Sequence, residues 1–63
     1  MKTTLELLNK VIELGFDENE ALESIDMALD DEFGYKNRKP IEKEQLNDEL
    51  YETILDSFKC ELD

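Results

Sequence analysis

"VIELGFDENEALESI", residues 11–25, decides how this chain folds. An apolar run at helical spacing stops at Leu14-Gly15-Phe16, and a second run begins at once. Gly15 can end a helix in the left-handed conformation that other residues adopt only at a cost. Asp17 then serves as an N-cap with Glu20 at the capping-box position, and Phe16 stands where a hydrophobic staple to Ala21 would fix the entry angle. The stretch therefore encodes two helices joined at a tight corner.

Upstream, Thr3 and Glu6 form a second capping-box pair, so the first helix is expected over residues 4–14. Leu5, Leu8 and Ile12 make its apolar stripe, widened by Leu7, Val11 and Leu14. Downstream, Leu22, Ile25, Leu29 and Phe33, flanked by Ala21 and Ala28, carry a helix over residues 18–33 until Gly34 stops it. The segment "GYKNRKP", residues 34–40, reads as a basic loop, and Pro40 suits the first position of a third helix. That helix is expected over residues 41–62, with Leu46, Leu50, Ile54 and Phe58 spaced by four, Tyr51, Leu55 and Leu62 beside them, and a candidate bend at Asn47-Asp48. Steps of four drift by roughly 40° on a 3.6-residue helix, so the apolar face is broad enough to cover two shorter helices. No strand pattern and no internal repeat is visible. The expected architecture is all-α: one domain, residues 1–63, a small three-helix bundle with a long C-terminal third helix.

The chain has 63 residues, and one small core must hold it alone or with help from a second copy. Its single cysteine, Cys60, and lack of histidine exclude an internal disulfide and a structural zinc site. Eighteen acidic against seven basic residues give a formal net charge of −11. Such a field repels nucleic acid and anionic membranes and attracts basic partners, so neither direct nucleic-acid binding nor membrane association is expected. "MKTTLELLNK" lacks the apolar core of a signal peptide, and no run is long enough to span a membrane, which together with the single thiol implies a cytoplasmic setting.

Enzyme chemistry has little support. There is no histidine to act as base, and the carboxylates lie on a small convex surface without an evident water-excluding cleft. A calcium loop from Asp31 to Glu42 fails because Phe33, Tyr35 and Lys36 stand where oxygen ligands and a glycine are needed. No cofactor and no metal is therefore expected.

The acidic faces carry more information. On the second helix Glu20, Glu23, Asp30 and Asp31 gather opposite the apolar stripe, with Met27 among them as an adaptable apolar anchor. On the third, Glu42, Glu49, Glu52, Asp56 and Asp63 share the outer side. Consecutive carboxylates at such spacing lie about 5 to 6 Å apart along a helix, an interval that can imitate a phosphate backbone. Lys36, Arg38, Lys39 and Lys43 supply four of the seven positive charges. They can neutralise carboxylates across the bundle or form a second contact surface between two copies.

"LGFDENEALESI" also resembles the ubiquitin-associated domain family over residues 5–25. Leu14-Gly15-Phe16 is similar to that family's Met-Gly-Phe loop, and Ala21, Ser24 and Ile25 match the small, small and large-apolar positions that follow. The resemblance implies a three-helix bundle that binds ubiquitin through the loop and the end of the third helix, with Leu14, Gly15 and Phe16 as contacts.

The expected function is a non-enzymatic, acidic protein-binding module, an inhibitor that occupies a basic nucleic-acid-binding surface on a larger protein. In charge and size the chain is similar to phage-encoded nucleic-acid mimics of the anti-CRISPR or anti-restriction type. Its partner-binding residues would be Glu20, Glu23, Met27, Asp30, Asp31, Glu49, Glu52 and Asp56, and the partner a nucleic-acid-handling enzyme. The alternatives are a ubiquitin-associated-like adaptor acting through Leu14, Gly15 and Phe16, and a structural subunit that completes its core as a homodimer.

Overall fold

A computed structural model describes residues 2–62. The first helix, α1, spans Thr4–Glu13. Its start is fixed by a reciprocal capping box: the Thr3 hydroxyl accepts from the Glu6 N–H at 3.2 Å, and the Glu6 carboxylate accepts from the Thr3 N–H at 3.3 Å. Leu14 closes the helix, its N–H donating to the carbonyls of Lys10 and Val11. Gly15 follows with φ 114°, which reverses the chain without the steric cost a side chain would meet.

The second helix, α2, spans Glu18–Phe33 with Asp17 as its N-cap. The Asp17 carboxylate accepts from the Asn19 N–H at 3.1 Å, and this bond takes the place of the expected capping box with Glu20. Phe16 sets the corner against the last helix, its ring lying edge-on to Phe58 with centroids 5.1 Å apart. Gly34, with φ 88° and ψ 138°, ends α2, and its N–H donates to Asp30 O at 2.9 Å. A single 3-10 turn, Tyr35–Asn37, comes next. The Asn37 side-chain amide donates back to the Phe33 carbonyl at 2.9 Å, satisfying an otherwise orphaned acceptor at the end of α2.

The expected helix over residues 41–62 begins seven residues later, as α3, Asp48–Leu62. Pro40 does start a turn, since its carbonyl accepts from the N–H groups of Lys43 and Glu44, but the turn does not propagate. One long-range and one local interaction intervene. Gln45–Leu46, β2, pairs antiparallel with Lys2–Thr3, β1, aligning Lys2 with Leu46 and Thr3 with Gln45. The Asn47 side chain then accepts from the Leu50 N–H at 2.7 Å, which makes it the N-cap of α3. Glu42 therefore lies in the turn and not on α3, while Asp63 lies outside the described residues. Strands of two residues are too short to leave a period-two pattern in sequence.

Among the described residues the fold is thus three helices and one two-stranded pair, an all-α chain in which the helices pack on a common core. Leu7, Leu8 and Val11 of α1, Ala21, Ile25 and Leu29 of α2, Leu46 of β2, and Tyr51, Ile54, Leu55 and Phe58 of α3 form that core. The buried face of α1 runs along Thr4, Leu7, Leu8 and Val11, rotated from the expected stripe, so Leu5 and Ile12 each remain 36% exposed. The rotation follows from Thr4, which is fully buried because it docks on residue 44. No described helix is long and apolar enough to cross a membrane.

Candidate functional site

The chain's one arginine organises the segment between α2 and β2. Arg38 follows the 3-10 turn, its side chain 16% exposed, and all three guanidinium nitrogens donate hydrogen bonds. Nε donates to Glu44 Oε2 at 2.8 Å, and Nη2 to Glu44 Oε1 and Asp26 Oδ1, both at 2.9 Å. Nη1 donates to Asp30 Oδ1 at 2.6 Å and to the Asp26 carbonyl at 3.0 Å. The planar fork matches carboxylate geometry in a way that a lysine ammonium would not.

Glu44 is the buried member of this cluster, its side chain only 4% exposed. Besides Arg38 it accepts from the Lys39 N–H and the Thr4 hydroxyl, both at 3.3 Å, while its backbone carbonyl takes the Thr4 N–H at 2.9 Å. Thr4 and Glu44 thereby tie the start of α1 to the segment before β2. Among the described residues no buried side-chain nitrogen or oxygen lacks a partner. Hydrogen bonding to Glu44 is the main influence that raises the guanidinium pKa above its ordinary range, outweighing the lowering effect of burial, and Asp26 and Asp30 raise it further. A cation whose pKa is raised on folding contributes its stability fully below the unfolded value, so Arg38 stays charged at every working pH.

This cluster changes the standing of the expected contact residues. Asp30 is half-buried in the ion pair with Arg38 instead of facing solvent alone. Glu20, Glu23 and Asp31 are exposed, and Met27 stands 67% exposed among them. Met27, Asp30 and Asp31 line one shallow depression together with Ala28. Glu49, Glu52 and Asp56 are exposed on the outer side of α3, about 120 to 180° around the helix from Phe58. The seven acidic residues of α2 share that helix with no lysine or arginine.

The ends of α2 and α3 meet at a second feature. Between them lies an open groove bordered by Glu20, Glu23, Ser24 and Glu61, with Phe16 and Phe58 as its aromatic lining. Here Glu20 and Glu23 stand beside the Leu14-Gly15-Phe16 corner, of which Leu14 and Phe16 are half-buried and Gly15 exposed. Sequence reasoning missed Glu61 because its part in the groove depends on how α3 packs, and missed Asp26 and Glu44 because their partner comes from a loop. The only available sign was Arg38 as the sole arginine within an acidic chain.

Lys59 follows Phe58 in the last turn of α3, and other basic residues lie away from the groove. Lys39 and Lys43 line a depression with Phe33, Asn37, Glu44 and Gln45, on the loop side of the molecule. Lys10 approaches Glu13 at 4.0 Å on the exposed surface of α1, and Lys2 lies over the Tyr51 ring at 4.8 Å. Among the described residues no ion pair reaches Glu20, Glu23, Asp31 or Glu61. Comparison with protein-family models, curated proteins and solved structures finds no match.

Proposed function

We propose that the protein is a non-enzymatic binding module whose acidic α2 face occupies a basic surface on a larger protein, in the manner of a nucleic-acid mimic and inhibitor. One observation carries this reading. The outer face of α2 keeps Glu20, Glu23 and Asp31 exposed around Met27, on a helix with seven acidic and no basic residues. A helix under selection for stability alone would gain from i,i+4 glutamate–lysine pairs, and this one has none. The unrelieved row of charge would steer a cationic surface toward it and resist self-association. Glu49, Glu52 and Asp56 extend the negative field on α3. A reducing, cytoplasmic setting accords with the exposed free thiol of Cys60.

The test is affinity capture from host lysate at low and moderate salt, with the wild type beside Glu20→Lys/Glu23→Lys/Asp31→Lys. The reading expects retention of a nucleic-acid-handling protein, released by salt, absent with the variant, and displaced by its own nucleic acid. Capture of the same protein by the variant with undiminished affinity overturns it.

The adaptor reading, in which Leu14, Gly15 and Phe16 contact ubiquitin, draws on the groove beside Phe16. Its test is titration with ubiquitin, where binding lost in Phe16→Leu and kept in the lysine variant would favour it over mimicry.

A further inference from the structure

We infer that the groove lined by Phe16 and Phe58 is a seat for one arginine side chain of the partner protein. The inference rests on the reading of the acidic surface as a binder of basic protein, and it adds which side chain is taken, where, and by what.

Two observations converge on the groove. Its lining is aromatic: the half-buried Phe16 keeps part of its surface open, and Phe58, 5% exposed, supports it from the core with the two rings at 73°. Its rim is anionic, with Glu20 and Glu23 from α2 and Glu61 from α3, all exposed and none in an ion pair among the described residues. Charge complementarity therefore selects a cation, and the rings select one with apolar reach, since a long basic side chain lays its stem on apolar surface and keeps its head among polar groups.

The molecule already contains the filled counterpart of this arrangement. Asp26, Asp30 and Glu44 surround one guanidinium, that of Arg38. Glu20, Glu23 and Glu61 form a second set of three carboxylates drawn from two elements, with aromatic rings added. A guanidinium suits such a set better than an ammonium, because its fork can engage two carboxylates while its plane stacks on an aromatic ring. A second copy of this chain is a poor occupant: its arginine is internal, and two chains of formal charge −11 repel each other.

The test is an NMR titration of the full-length, isotope-labelled protein with tetra-arginine amide and, separately, tetra-lysine amide, at 20 and 150 mM salt. Shift changes from tetra-arginine should concentrate on Phe16, Glu20, Glu23, Ser24 and Glu61. At 150 mM salt tetra-arginine should bind about three- to five-fold tighter than tetra-lysine, the scale of an exposed cation–π contact. Phe16→Leu, which keeps apolar volume in the corner, should erase that preference. Glu61→Gln, an exposed change that leaves the corner untouched, should weaken tetra-arginine binding about two-fold, the scale of an exposed ion pair.

Equal affinity for the two peptides, or shifts as large around Glu49, Glu52 and Asp56 as around Phe16, overturns the seat and leaves the wider acidic surface standing. Failure of both peptides to bind at 20 mM salt overturns both. A concentration-dependent dimer whose interface shifts map to the groove would assign it to a second copy and overturn the proposal.

Discussion

Two sets of three carboxylates meet α2 at different points along its length, and the fold treats them differently. Asp26, Asp30 and Glu44 close around Arg38, with Glu44 almost fully buried. Glu20, Glu23 and Glu61 stand in solvent around a pair of phenylalanines, and no described cation reaches them. The difference is between carboxylates neutralised within the fold and carboxylates left in solvent. One set fastens the segment between α2 and α3 to the rest of the molecule. The other makes no ion pair among the described residues, and the proposed binding role is assigned to it.

That contrast is most exposed to attack at Arg38. Arg38→Met should leave Glu44 buried without its counter-charge, and breaking a buried pair from one side costs about 3 to 5 kcal/mol. For a domain of this size that is a large share of total stability, and urea unfolding should show a partly or wholly unfolded chain. A loss under about 1 kcal/mol, the range of surface ion pairs, would erase the distinction between the two sets.

Next in size is Gly34→Ala. A Cβ there would meet only the Asn37 side-chain nitrogen at 3.5 Å, ordinary contact, so the cost is that of holding φ 88° and ψ 138° with a side chain. Roughly 1 to 3 kcal/mol is expected in thermal or urea unfolding. Because Gly34 sets the path toward Arg38, the variant also sharpens the comparison: its amide exchange should accelerate around Arg38 and Glu44, with little change at Glu20 and Glu23. Smaller again is Thr3→Ala, which removes the capping box of α1 and should cost about 1 kcal/mol.

The same contrast explains what could be read from sequence. The ends of α1 and α2 were legible because their signals are local: Thr3 with Glu6, Gly15, Asp17 and Gly34 act within a few residues of where they stand. Residues 41–47 were not. Pro40 and the spacing of Leu46, Leu50, Ile54 and Phe58 suggest one helix from residue 41, and Leu46 does enter the core, but from a strand. The deciding interactions join Thr4 to Glu44 and Lys2–Thr3 to Gln45–Leu46, about forty positions apart, which no periodicity records. The same long-range tie buries Thr4 and turns Leu5 and Ile12 outward.

Site reading divides along the same line. Glu20, Glu23, Met27 and Asp31 could be placed on an exposed face from helical spacing alone, and they are exposed. Asp30 could not be told from them, since its partner arrives from the loop. Glu61 entered only through the packing of α3 beside Phe16.

The most direct test of the division is urea unfolding of Glu20→Lys/Glu23→Lys/Asp31→Lys against the wild type. If these carboxylates have no part in holding the fold, each change should move stability by no more than about 0.5 kcal/mol, and relief of like-charge repulsion should make the sum neutral or stabilising. A combined loss well beyond about 1.5 kcal/mol, three such increments, would contradict the account by showing that the exposed face is structural after all.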